Sequence, residues 1–362
     1  MRVLFASVYP PSDTGDAYEH RLDSLRRELT AAGAVTDKVH LDLNSRRLGA
    51  VGQLSAAWSR VPWRDWDWVH VGGSVAPGLL GLQRRGRTGL VFDAHGLAHA
   101  EKAMSGPTGL QKLRVPAFRA LGALSARQAD LCVTVSRPMV DVLADLRNGY
   151  DGIHLVRNGV DIARFAPAPM PDGVFRVGYA GGFQPWQAVD LLVDAMPHLR
   201  DLVDAGRLRL RLVGFRPEEA ALKASLARRL PEGTELMDRV PQEELVGLLH
   251  ACHLLAIPRR PHPATRVALP TKFAEYLALQ RPVLVNRVDE SELIVREERC
   301  GFVADSAPEA VARAIREAVE TPVGELAAMG ERGRRFVATE LDWRRIGEGY
   351  HRVLTEALAA RA

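Results

Sequence analysis

Short apolar runs alternate with amphipathic stretches from one end of this chain to the other. Val3–Val8, Val35–Leu41, Trp68–Val71, Leu90–Phe92 and Leu131–Val135 read as strands with helix-like segments between them. Such alternation predicts βαβ units, and therefore a mostly parallel sheet with helices on both faces. Around Phe165–Gly173 three prolines and a glycine interrupt the pattern, as in an exposed connection. It restarts with Phe175–Tyr179, Leu208–Val213, Glu235–Met237, Leu254–Ile257, Pro282–Val285 and Phe302–Val303. The expected fold class is α/β, with two Rossmann-like domains at residues 1–166 and 167–341. Residues 342–362 read as a closing helix, with Asp342 as N-cap and Trp343, Ile346, Tyr350, Val353, Leu354 and Leu358 on one side. A length of 362 residues suits two cores better than one.

With 47% hydrophobic and 25% charged residues, the composition is that of a soluble globular protein. No run of 18 apolar residues and no cleavable leader is evident, so a cytoplasmic protein is expected. Cys132, Cys252 and Cys300 lack the spacing of a metal site or a disulfide framework and read as buried thiols. Residues 1–166 carry 21 Lys+Arg against 16 Asp+Glu, and the remainder 27 against 28. That excess reads as a solvated surface, with peripheral contact to an anionic membrane as the alternative. No nucleic-acid motif is present. Trp58, Trp63, Trp66 and Trp68 form either a packed edge or an acceptor or membrane-interface platform.

Five segments carry chemistry. The loop Tyr9–Ala17, with Gly15, follows the first strand and lets backbone N–H groups face a ligand, but it lacks the three-glycine dinucleotide fingerprint. Asp93-Ala94-His95-Gly96 ends the fourth strand, where His95 is either a proton-handling group or a strand-end histidine bonded to backbone. Asn158-Gly159 reads as a structural turn. Gly181-Gly182, followed by Gln187, leads from a strand into a helix, and such a loop can approach a diphosphate closely. The densest segment runs from Pro258 to Ala278. Arg259, Arg260 and Arg266 lie on a proline-rich loop before a helix that carries Lys272 and, three residues on, Glu275. Lysine is scarce, at five residues, so Lys272 was not drawn from a lysine-rich background.

Taken in order, these segments resemble the retaining glycosyltransferases of family four, which have the GT-B fold. The likeness is carried by the Gly15 loop, Asp93-Ala94-His95, Val133-Thr134-Val135-Ser136, Asn158-Gly159-Val160-Asp161, Gly181-Gly182-Phe183, Val240–Leu245 and Pro270–Ala278, the last followed by Arg281–Val285. The resemblance implies two domains facing across a cleft, with the closing helix crossing back onto the first. It implies a nucleoside-diphosphate sugar held by the second domain, a hydroxyl-bearing acceptor held by the first, and neither metal nor cofactor. Glu275 matches the glutamate associated with the donor ribose. Val267 stands where the family's other glutamate would be, Gly182 where an arginine commonly faces the diphosphate, and Gln187 where a lysine does. The expected catalytic residues are His95, Lys272 and Arg266. The expected donor-binding residues are Gly15, Gly181, Gly182, Gln187, Arg259, Lys272 and Glu275. A nucleotide-sugar 2-epimerase and a catalytically weak binding subunit are the alternatives.

Overall fold

The structure, a computed structural model, describes residues 1–7, 17–40, 62–73, 86–104 and 114–361. Gly15 and Trp58 lie outside the described residues. Two compact α/β units emerge: residues 1–159, 267–269 and 343–362 form the first, and 160–266 with 270–342 the second.

In the first unit, β1 (Arg2–Ser7), β2 (Val35–His40), β3 (Trp68–Gly72), β4 (Gly89–Ala94), β5 (Leu131–Thr134) and β6 (Ile153–Leu155) make a parallel sheet in the order β2-β1-β3-β4-β5-β6. β6 was not foreseen in the sequence. It is a three-residue edge strand with no buried side chain, so it leaves no apolar run to read. Val3, Phe5, Trp68, Val91 and Val133 pack against Leu22, Leu25 and Leu29 of the helix Ala17–Ala31 and against Trp343, Tyr350 and Leu354 of the helix Trp343–Ala359. Each fully buried leucine contributes about 1.5–3 kcal/mol. The closing helix is therefore a structural part of the first core. Gly347 lets it approach closely, because a Cβ there would lie 2.2 Å from Glu28 Cβ. Trp63 and Trp68 are buried, and the Trp68 indole donates to the Leu354 carbonyl at 3.2 Å. The platform reading is thus excluded for these two tryptophans.

The second unit holds β7 (Phe175–Ala180), β8 (Leu208–Phe215), β9 (Glu235–Asp238), β10 (Leu254–Ile257), β11 (Val283–Asn286) and β12 (Gly301–Ala304). These form a parallel sheet in the order β12-β11-β10-β7-β8-β9. Val177 and Tyr179, with Leu208, Leu210 and Leu212, pack against Leu191 and Leu192 and against Val311 and Ile315 of the helix Pro308–Glu320.

The boundary falls at Gly159/Val160 rather than 166/167. Residues 160–169 are tied to the second unit by backbone carbonyls. Arg334 donates to those of Ile162 and Phe165, Arg281 to those of Ala168 and Pro169, and Val160 N–H to that of Leu341. The proline-rich stretch advertised a linker, but arginines distant in sequence fasten it down. All three thiols are free and buried, and no helix among the described residues is long and apolar enough to cross a membrane.

Candidate active site

In the second sheet β7 and β10 are neighbours, and the chain leaves the carboxyl end of β7 toward β8 on one side and that of β10 toward β11 on the other. Open parallel sheets bind ligands at such a point. Here β7 runs into Gly181-Gly182, and β10 into Pro258-Arg259-Arg260. After the short helix Pro263–Arg266, the helix Thr271–Ala278 carries Lys272, Glu275 and Tyr276.

Lys272 is 8% exposed, and its Nζ donates to the Tyr179 hydroxyl at 3.1 Å and to Gln187 Oε1 at 3.0 Å. It also lies 4.3 Å from the centroid of the Tyr179 ring. Both hydrogen-bond partners are neutral. Burial, with Arg259 second and Glu275 opposing, lowers the Lys272 pKa from 10.5 to about 7. Glu275 is half-buried, and burial raises its pKa against the pull of Lys272 and Arg164. Its carboxylate accepts no hydrogen bond among the described residues.

The Gly-Gly loop divides its labour. Gly181 has φ +140°, and a Cβ there would lie 2.7 Å from Lys272 Nζ, so glycine is needed both for the backbone and for the ammonium. Its N–H is already donated to the Val213 carbonyl at 3.0 Å. Gly181 therefore supplies space for a close approach rather than a hydrogen bond to a ligand. The Gly182 N–H has no acceptor among the described residues, and its φ is not positive.

Arg259 is buried. Its backbone N–H donates to Asn286 Oδ1 at 2.8 Å, and its Nε lies 3.8 Å from Asp289 Oδ2 without a hydrogen-bond partner. Burial disfavours its charged form and Asp289 favours it. The two other loop arginines do not join this group. Arg260 pairs with Asp190 at 2.5 Å, and the Arg266 guanidinium is exposed with no hydrogen bond or ion pair among the described residues. The expected partnership of Arg266 with Lys272 is thus not formed. Val267 belongs to the first unit, where its carbonyl accepts from Ser136 Oγ at 2.5 Å.

Two tyrosines of this site were missed in the sequence. Tyr179 reads there as an ordinary strand residue and Tyr276 as a helix core position. In the structure the Tyr276 hydroxyl accepts from the Ala180 N–H at 2.8 Å and donates to the Ala180 carbonyl at 3.1 Å, which fixes the end of β7. Tyrosine at the end of a strand before a Gly-Gly loop was the available signal.

In the first unit, His95 stacks on Tyr18 with centroids 4.3 Å apart, and its Nδ1 is buried without a hydrogen-bond partner among the described residues. Burial lowers its pKa, which favours neutral imidazole. Asp93 is committed elsewhere. It accepts from Arg21 Nε at 2.8 Å and Nη2 at 3.0 Å and from His70 Nε2 at 3.1 Å. Because a carboxylate only accepts, Nε2 of His70 carries a proton, and Nδ1 forms a hydrogen bond with the Tyr350 hydroxyl, 2.7 Å away. Burial raises the Asp93 pKa, but Arg21 and His70 outweigh it and hold the carboxyl well below the usual range.

Comparison with known proteins agrees with this architecture. The family model for Glycosyltransferase Family 4 matches residues 7–164, and the one for Glycosyl transferases group 1 matches residues 174–321. The D-inositol 3-phosphate glycosyltransferase of Saccharomonospora viridis is 28% identical over 308 residues, covering 78% of this chain and 68% of that protein. Its counterpart from Salinispora arenicola is 26% identical over 342 residues, with coverage of 85% and 72%. Among solved structures, a sucrose-phosphate synthase from Thermosynechococcus elongatus superposes with a TM-score of 0.77 at 17% identity over 99% of each chain. HepE from Anabaena, in complex with UDP, gives 0.75 at 16% identity over 98% of this chain and 100% of its own. This chain belongs to glycosyltransferase family 4.

Proposed function

We infer that the protein is a retaining glycosyltransferase that moves a sugar from a nucleoside-diphosphate sugar to an acceptor hydroxyl without a metal ion. The observation that carries this reading is the Lys272 ammonium, buried beside Gly181 with only neutral hydrogen-bond partners. An ammonium has three N–H donors, and Tyr179 and Gln187 take two of them. The third is left for an anion. As the bond from the anomeric carbon to the diphosphate oxygen breaks, charge builds on that oxygen. Lys272, the Gly182 N–H and Arg259 would stabilise it, while the acceptor oxygen bonds to the anomeric carbon on the same face. The acceptor proton leaves with the diphosphate. Glu275 would accept ribose hydroxyls, and His95 would position the acceptor or the sugar.

UDP-sugars are the first donors to try, given that HepE is seen with UDP and with UDP-glucose. Inositol phosphate is the first acceptor, given the name of the bacterial relatives. Calorimetric titration with UDP, GDP, dTDP and ADP, followed by a donor-sugar panel, tests the reading, and neither binding nor turnover with any of them would end it. Glu275→Gln should weaken nucleotide binding by about 1.5–3 kcal/mol, and an unchanged dissociation constant removes Glu275 from the site. His95→Ala should reduce turnover while leaving nucleotide affinity in place, because His95 belongs to the first unit and the nucleotide groups to the second. Equal loss of both would make His95 structural, with the melting temperature as the check.

A further inference from the structure

Lys272 and the Gly-Gly loop come from different segments, yet one side chain joins them. The Tyr179 hydroxyl accepts from Lys272 Nζ at 3.1 Å and donates to the Gly182 carbonyl at 2.5 Å. A hydroxyl can do both at once, because it has one proton and two lone pairs. Tyr179 is fully buried, its ring lies beneath the ammonium, and it packs on Phe183 with centroids 5.9 Å apart. Tyr276 grips Ala180 from the neighbouring helix, so the peptide before Gly181 is also fixed. The position of the ammonium and that of the Gly182 peptide are therefore set by the same oxygen.

We propose that Tyr179 is a positioning residue that holds the Lys272 ammonium and the Gly181-Gly182 loop in one arrangement, pre-formed for the diphosphate of the donor. This rests on the glycosyltransferase reading given above. Without the hydroxyl, the ammonium keeps Gln187 and the face of the ring but loses an acceptor, and the Gly182 carbonyl loses its donor. Both shifts degrade the anion site while the hydrophobic packing of the ring survives. The charged groups acting on this pair are Arg259 on the β10 loop, Glu275 on the helix of Lys272, and Glu219 near Tyr179.

The test is Tyr179→Phe, alone and combined with Lys272→Met, read by calorimetry with UDP and by lysine-selective 13C NMR. Five lysines make the spectrum simple, and Lys272→Met assigns its signal. The single Phe variant should bind UDP about 10-fold more weakly. In the Lys272→Met background the same change should cost only about 3-fold, the part that comes from the Gly182 peptide. The Lys272 resonance, titrating in the wild type near pH 7, should move to lower pH in the Phe variant, because the charged form has lost an acceptor. A merely structural tyrosine would leave that midpoint in place and weaken binding equally in both backgrounds, and this result would overturn the proposal. If the wild type binds no nucleotide, the glycosyltransferase reading fails, whereas the NMR midpoints still decide whether Tyr179 holds Lys272. Circular dichroism and melting temperature confirm that the Phe variant is folded.

Discussion

Replacing Lys272 with Met should lower turnover about 100-fold or more, because the side chain keeps much of its stem while the ammonium is lost. The structure adds a condition for rescue. Gln187 Oε1 accepts from Lys272 Nζ at 3.0 Å, so Gln187→Lys in the wild type would set two ammoniums against each other. In the Lys272→Met background that conflict is gone, and Gln187→Lys should recover part of the rate. Gly182→Arg is also accessible, since Gly182 lies outside the positive-φ region and the atoms nearest to a Cβ there belong to the flexible end of Gln184. Wild-type turnover in Lys272→Met would sink the assignment and direct attention to Arg259. A second signature needs no substrate. The pKa of Lys272 falls from 10.5 to about 7 on folding. Below the lower value both states hold the proton and the burial cost is fully felt; between the two values only the unfolded chain holds it. Stability should then rise with pH by up to about 1.4 kcal/mol per unit across that window. Denaturant titrations of Lys272→Met should lack this increment.

Asp93→Ala should be the most destabilising of the substitutions considered, by about 3–5 kcal/mol. Asp93 and His70 are fully buried and Arg21 is 2% exposed. Without the carboxylate, Arg21 keeps among the described residues only the Arg157 carbonyl and Asn158 Oδ1 as partners, at 3.0 and 3.2 Å, and remains a buried, uncompensated charge. The melting temperature of the first unit should drop by about 10 °C. Replacing both Arg21 and Asp93 by Met and Leu should cost less than the single change, because no unpaired charge is then left inside. A variant with wild-type melting temperature and lost turnover would instead place Asp93 in the chemistry.

The alternation of strands and helices was readable because buried parallel strands carry contiguous apolar runs, as β1, β4, β10 and β11 do. The location of Lys272 and the glycine loop followed from the ends of such runs. What stayed hidden depends on partners distant in sequence. Asp93 stood in the sequence only as part of the strand-end segment that carries His95, and only folding shows it consumed by Arg21 and His70, 72 and 23 positions away. Arg266 looked equivalent to Arg259, yet one guanidinium is exposed and the other buried. Nothing local distinguishes them. Tyr179 and Tyr276 were overlooked because an apolar pattern counts a tyrosine as core and gives no sign of where its hydroxyl points.

The helix Trp343–Ala359 completes a core whose other members are drawn from residues 1–156. During synthesis the first unit therefore leaves the ribosome early but waits for the last segment, with the whole second unit made in between. At roughly 5–20 residues per second, the delay is on the order of ten to forty seconds. Meanwhile the face of the helix Ala17–Ala31 that later receives Trp343, Tyr350 and Leu354 is uncovered. The unit translated first is finished last, and its nascent form is the one most in need of a chaperone.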